Sequence, residues 1–159
     1  MRTIKTILVP TDLDPAADKA LSYARELADA FGATLHVLHV LEDPFPPGTF
    51  TEAYPPVLDK YLQDIERQSG AHLAAALTDE QKVKYSAVQI MRRGMAAEQI
   101  LAYLNERPID LVVMGTAGRG GLSRLMMGSV ADRVVRAAPC PVLTVHPPDA
   151  GTGTKAHAA

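Results

Sequence analysis

The sequence of 159 residues contains a single cysteine. It is also poor in aromatic residues, which make up 5% of the chain and include no tryptophan. Cys140 alone cannot form an intramolecular disulfide, and it leaves a metal cluster without cysteine partners. The chain also lacks an excess of either charge, because 16 basic and 18 acidic residues give a net charge of −2. This balance provides no global field that would recruit nucleic acid or an anionic membrane.

Long apolar runs are absent as well. None approaches the ~20 residues that a membrane-spanning helix needs. The first residues, Met1-Arg-Thr-Ile-Lys5, show neither the apolar segment nor the cleavage site of a signal peptide. The sequence therefore predicts a cytoplasmic protein that does not insert into a membrane. Its length and its hydrophobic content of 47% fit one domain with a proper core.

Apolar stretches of strand length alternate along the chain with stretches whose apolar residues recur at helical spacing. Strands are predicted at residues 4–9, 34–41, 84–92, 110–114 and 141–146. Helices are predicted at residues 15–31, 58–76, 94–104 and 129–137. The small and polar residues 147–159 predict a flexible tail that follows a single domain at 1–146.

This alternation predicts an α/β fold in which a five-stranded parallel sheet carries helices on both faces. With the strand order 3-2-1-4-5, the order reverses between the first and the fourth strand. Ligands of such sheets bind at this switch point, outside the carboxyl ends of the strands. Asp12 follows the first strand and Gly115 follows the fourth, so a ligand site is expected between them.

The most informative segment is a glycine-rich loop between the fourth strand and the last helix. Residues 115–129 read Gly-Thr-Ala-Gly-Arg-Gly-Gly-Leu-Ser-Arg-Leu-Met-Met-Gly-Ser. Such a loop presents bare backbone N–H groups, and the helix that follows adds a positive partial charge of ~0.5 at its N-terminus. The segment therefore predicts a site for a phosphorylated ligand.

Three common phosphate-related patterns do not fit the chain. A P-loop requires lysine where Gly121 stands. The dinucleotide fingerprint should follow the first strand, where the chain has Pro10-Thr-Asp-Leu-Asp14 instead. A receiver domain needs an acidic residue after the third strand and lysine after the fifth, but these strands end in Met91-Arg-Arg93 and His146.

The spacing Gly115-x2-Gly118-x9-Gly128-Ser129 matches the ATP-binding motif of the universal stress protein family. The chain resembles that family over about residues 3–146. Other segments typical of it are Ile7–Asp12, Leu38–Val40, Asp110–Gly115, Gly128–Val130 and Cys140–Leu143. The resemblance implies the family's fold, which is Rossmann-like and of the adenine nucleotide alpha hydrolase-like type.

The resemblance also implies a ligand, which is ATP, or ADP or AMP, together with Mg²⁺. The implied contacts are Pro10, Thr11, Asp12 and Val40 for adenine, Met114 and Gly115 for ribose, and Gly118, Arg119, Gly128, Ser129 and Val130 for the phosphates. From the residues alone, two alternatives remain open. Asp12 is also a candidate turn or helix-capping residue, and Ser129 forms a near capping box with Asp132.

The family further implies a homodimer through the last strand, residues 141–146. That strand is predicted to be an apolar sheet edge, and bare apolar edges invite pairing. Charged substitutions at Leu143 and Val145 are therefore expected to give a monomer. The proline-rich loop 44–56 is either a lid beside the adenine or a connection without a role.

The leading functional hypothesis is a regulatory stress-response protein that binds ATP and acts on a protein partner, with slow ATP hydrolysis at most. One alternative is a dimeric scaffold that contacts its partner without nucleotide. The other is an ATP hydrolase or an ATP-dependent transferase, although the chain lacks the Ser-Gly-Gly-x-Asp-Ser loop of adenylating relatives. His36, His39 and Cys140 are interpreted as packed side chains.

Overall fold

The computed structural model describes residues 3–14, 17–44, 56–116 and 127–146. The predictions for Gly118 and Arg119, for nearly all of the proline-rich loop and for the C-terminal tail lie outside these residues.

Strands and helices alternate along the described residues. In chain order they are β1 (Thr6–Thr11), α1 (Ala17–Phe31), β2 (Thr34–Leu41), α2 (Pro56–Ala75), α3 (Asp79–Lys84), β3 (Val88–Arg93), α4 (Ala96–Glu106), β4 (Leu111–Gly115), α5 (Ser129–Ala137) and β5 (Val142–Val145). The strands form one parallel sheet in the order β3-β2-β1-β4-β5. The predicted fold class and strand order are confirmed.

The central strands are apolar without alternation because helices cover both faces of the sheet. In β1, Ile7, Leu8 and Val9 are all fully buried. Ile7 and Val9 belong to a core that includes α1 and the C-terminal end of α2. Leu8 belongs to a second core with α4 and α5. We call these the α1 face and the α4 face of the sheet.

The prediction for the third strand was wrong at its start. Residues 79–84 form the short helix α3, and the strand begins at Val88 rather than Lys84. A reciprocal capping box starts this helix: Gln81 N donates to the Thr78 hydroxyl, and Thr78 N donates to the Gln81 side chain. The pattern Thr-x-x-Gln was therefore a usable signal in the sequence.

Strand β5 is an edge of the sheet, as expected, but its apolar residues are not equivalent. Leu143 is 39% exposed, whereas Val145 is 8% exposed and belongs to the core of the α1 face. A charge at Val145 would also disrupt that core, so Leu143 is the better position to test the predicted dimer. No helix in the described residues is long and apolar enough to span a membrane.

Candidate functional site

A cavity of about 790 Å³ opens at the carboxyl ends of β1, β2 and β4. Its volume lies within the range of roughly 300–1,000 Å³ that is usual for small-molecule sites. The predicted site residues within the described part of the chain all line it: Pro10, Thr11, Asp12, Val40, Met114, Gly115, Gly128, Ser129 and Val130. The structure therefore brings together residues that are more than a hundred positions apart in sequence.

The turn after β1 is held by local hydrogen bonds. Leu13 N donates to the Thr11 hydroxyl at 3.0 Å, and Asp14 N donates to Asp12 Oδ1 at 3.1 Å. Leu13 adopts a left-handed backbone with φ of 62°. From β2, His39 Nδ1 donates to the Thr11 carbonyl at 2.9 Å. Asp12 therefore stabilises this turn, as one of the two alternatives held, and it also lines the cavity.

Thr116 fixes the opposite side of the cavity. Its amide donates to the Val145 carbonyl at 3.1 Å, and its carbonyl accepts from Gly128 N at 2.7 Å. Its hydroxyl lies 3.1 Å from His146 Nδ1, and its side chain is buried. Sequence reasoning missed this residue. Its position directly after the β4 strand, at the switch point, was the available signal.

The N-terminus of α5 lies at the cavity. Gly128 is the N-cap, and the first bond of the helix runs from Asp132 N to the Gly128 carbonyl at 2.9 Å. The amides of Ser129, Val130 and Ala131 come before that bond, and all three residues line the cavity. Among the described residues these three amides have no hydrogen-bond partner, which is the usual condition of the first turn of a helix before a ligand or a cap binds there.

The near capping box at this helix is not formed. Because Gly128 is the N-cap, Ser129 is the first residue of the helix rather than its cap. The carboxylate of Asp132 accepts from Arg136 Nε at 3.0 Å, one turn further along. Among the described residues, no side chain therefore caps the start of this helix.

The N-terminus of α4 also lies at the cavity, but unlike that of α5 it is capped by a side chain among the described residues. Ala96 N, at the start of α4, donates to Glu42 Oε1 at 3.0 Å, so a carboxylate from the end of β2 caps this helix. Asp43 also lines the cavity on this side. Arg93 lines the cavity here too, where it pairs with Glu66. The start of α4 is already occupied by the Glu42 carboxylate, whereas the start of α5 has no such cap among the described residues and so remains the better place for an anion. The cavity therefore has one end suited to phosphate.

His36, His39 and Cys140 are packed, as predicted. His36 Nδ1 lies 2.7 Å from the Tyr103 hydroxyl, and burial together with the charge of Arg107 lowers the pKa of His36. Burial and the nearby carboxylate of Asp110 raise the pKa of Cys140, which disfavours a reactive thiolate. Among the described residues, no three His, Cys, Asp or Glu side chains are placed to hold a metal ion.

The cavity is apolar where the ends of β1 and β2 contribute Pro10, Leu38 and Val40, and it offers N–H donors at the start of α5. A ligand with a flat apolar part and an anionic part would match both ends. Together with the strand order, this geometry defines a doubly wound α/β protein whose small-ligand cavity lies at the switch point.

The chain belongs to the universal stress protein family, whose model matches residues 3–146. It is 33% identical to universal stress protein MJ0531 of Methanocaldococcus jannaschii over 145 residues, which are 91% of this chain and 83% of that protein. Universal stress protein UspA from Lactobacillus plantarum superposes with a TM-score of 0.73 at 28% identity, covering 91% of this chain and 99% of that one. A universal stress protein solved in complex with cAMP superposes with a TM-score of 0.58 at 22% identity, covering 92% and 100%.

Proposed function

We propose that this protein binds an adenine nucleotide at the switch point and acts as a nucleotide-dependent regulatory protein in a stress response. One observation carries the proposal: the amides of residues 129–131 are without partners among the described residues and share a cavity with the apolar ends of β1 and β2. Among folds of this type, that combination suits a nucleotide better than a purely apolar or a purely anionic ligand.

In the proposed pose, the phosphates accept hydrogen bonds from the start of α5. Each charge-assisted bond contributes about 1.5–3 kcal/mol, so three bonds give about 5–9 kcal/mol. The adenine lies against Pro10 and Val40, and its apolar contact adds to this sum. Asp12 accepts from an amino or a ribose hydroxyl group.

Mg²⁺ fits this pose as an ion carried by the nucleotide. The described residues contain no cluster of three side chains that would hold a metal, while Asp12 lies on the cavity wall. Mg²⁺ usually keeps several waters and is bound by phosphate oxygens with one or two carboxylates. When bound, it would neutralise part of the phosphate charge.

Two further observations support the regulatory proposal. A solved universal stress protein of similar fold is in complex with cAMP, an adenine nucleotide. In this chain, β5 is a sheet edge that carries the partly exposed Leu143, and we propose that two copies pair there to form a homodimer. The dimer would present its nucleotide-dependent surface to a protein partner.

Differential scanning fluorimetry and calorimetric titration with ATP, ADP, AMP and cAMP test the proposal, with GTP and inorganic triphosphate as controls. A ligand present at about 100 times its Kd adds ~2.7 kcal/mol to the free energy of unfolding, which raises the Tm by several degrees. Adenine nucleotides should stabilise the protein more than GTP does. An equal effect of inorganic triphosphate, or no effect of any adenine nucleotide, would contradict the proposal. Phosphate release at ordinary enzyme rates would favour an ATP hydrolase instead.

A further inference from the structure

Glu42 directly follows β2, and its side chain lies on the α4 face of the sheet. Alternate residues of a strand face opposite sides, and Val40, two positions earlier, packs with the core of the α4 face. Glu42 reaches the same side, since its Oε1 accepts from Ala96 N at the start of α4 at 3.0 Å. Val40 and Glu42 both line the cavity. The carboxylate therefore borders the wall against which the adenine is proposed to lie.

Two hydrogen bonds join the end of β2 to the start of α4 and so hold this carboxylate in place. Gly94 N, in the turn before α4, donates to the Leu41 carbonyl at 3.1 Å. Gly94 has φ of 127°, a backbone conformation that favours glycine. The bond from Ala96 N to Glu42 closes the same junction. A group that is already held in position discriminates between ligands well, because little order has to be imposed on it when the ligand binds.

The strand order determines which part of a nucleotide comes near Glu42. Strand β1 lies between β2 and β4, and the start of α5 is hydrogen-bonded to the residue after β4. Neighbouring strands are about 4.8 Å apart, so β2 and β4 are separated by about 10 Å. A nucleotide with its phosphates at α5 then has its ribose at the end of β1, near Asp12, and its base at the end of β2. Asp12 is thus placed for the ribose and Glu42 for the base.

A carboxylate at this position distinguishes purines by their 6-substituent. Adenine carries an amino group there, which donates, whereas guanine and hypoxanthine carry a carbonyl, which only accepts. An ionised carboxylate is likewise only an acceptor. Arg93 also lines the cavity, but its guanidinium pairs with Glu66 of α2, on the opposite face of the sheet. On the α4 face the protein therefore offers the base an acceptor at Glu42.

We infer that Glu42 selects the base, with its carboxylate accepting a hydrogen bond from the 6-amino group of adenine. The position of the nucleotide in this inference rests on the proposed function. The inference adds the residue that makes the site prefer adenine to the 6-oxopurines, and it divides the two donors of the ligand between two carboxylates: the ribose hydroxyl bonds Asp12, and the amino group bonds Glu42.

Calorimetric titration of the unmodified protein with three triphosphates tests the inference. ATP carries the 6-amino group, purine riboside triphosphate has hydrogen at that position, and ITP has a carbonyl. We expect ATP to bind about 2- to 13-fold more tightly than purine riboside triphosphate, the factor for one net hydrogen bond. ITP should bind more weakly still, because its carbonyl would face the carboxylate. Equal binding of ATP and purine riboside triphosphate would overturn the inference.

Glu42→Gln tests the residue itself. The glutamine oxygen can still accept from Ala96 N, while the amide nitrogen offers the base a donor in place of an acceptor. The preference for ATP over purine riboside triphosphate should fall to within about two-fold, and ITP should gain affinity relative to ATP. Glu98→Gln makes the same change of charge at an exposed residue in the first turn of α4 and should keep the full preference. A full preference in Glu42→Gln would also overturn the inference.

The same titrations separate this inference from the proposed function. ATP binding that is insensitive to the 6-amino group refutes the assignment of Glu42 and leaves the nucleotide site standing. Absence of ATP binding refutes the proposed function, and the selection of the base with it.

Discussion

Gly128→Asp would test whether the open start of α5 is the anion site. Gly128 has φ of −60° and ψ of 152°, a backbone conformation that an aspartate adopts without strain. Its carboxylate would accept from the amides at the beginning of the helix, as Glu42 accepts from Ala96 N at the start of α4. The substitution therefore copies within α5 a cap that the protein already uses in α4.

The two expected effects have opposite signs. A negative charge in the first turn of a helix contributes about 0.3–1 kcal/mol, and replacing glycine by a better N-cap adds a few tenths. The ligand-free Tm should rise by about 1–5 °C, since 1 kcal/mol corresponds to about 2–4 °C in a domain of this size. The same carboxylate repels phosphate and occupies one or two of its donors. At about 1.5–3 kcal/mol each, their loss weakens ATP binding by roughly 10- to 30,000-fold.

Thermal unfolding and calorimetric titration measure both effects in one preparation, with Gly128→Ala as the control that adds a side chain without a charge or a cap. The control should bind ATP within a few-fold of the unmodified protein. The reasoning fails if Gly128→Asp binds ATP as well as Gly128→Ala does. It also fails if both variants lose binding equally, since the charge would then be irrelevant.

Three further predictions concern the rest of the fold. Leu143→Lys should convert the proposed dimer into a monomer, measured by light scattering after gel filtration. Val83→Lys is the control, at a residue of α3 that is 82% exposed, and should leave the dimer intact. An unchanged mass for Leu143→Lys would exclude the β5 interface. Glu42→Ala removes the cap of α4 and should lower the free energy of unfolding in urea by about 1 kcal/mol, with no change expected if the bond to Ala96 N does not form in solution. Burial and the charge of Arg107 lower the pKa of His36 in the folded protein. The contribution of His36 to the free energy of unfolding is therefore fully present above its unfolded-state pKa of about 6.5, and it is lost as the pH falls through its lower folded-state pKa. His36→Gln should therefore flatten the decline of Tm on acidification, and an identical decline would contradict this assignment.

Sequence reasoning succeeded where the local pattern and the tertiary structure agree. The run at residues 34–41 is apolar on both faces, and its predicted bounds coincide with those of β2. Gly32 ends α1, as predicted, with φ of 66°. The last helix begins at Ser129 because the glycine before it serves as the N-cap. Such features depend on residues close together in the chain, so they can be predicted without knowledge of the fold.

The site could be predicted only in part, because its geometry depends on contacts between distant segments. The cap on α4 comes from Glu42, which is 54 positions before Ala96, and local patterns do not reveal such a bond. The different exposure of Leu143 and Val145 likewise depends on packing against α1 across the sheet. The position of the cavity at the carboxyl ends of the strands could be predicted, because ligands of such sheets bind where the strand order reverses.

Thr116 has a mechanical consequence for the molecule. Through its two backbone groups it joins the terminal strand of the sheet to the first turn of α5. Displacing that strand, whether by a neighbouring molecule or by strain, would pull on the peptide that anchors this turn. The edge strand β5 and the start of α5 at the cavity are therefore coupled through one residue, so a displacement of either would shift the other.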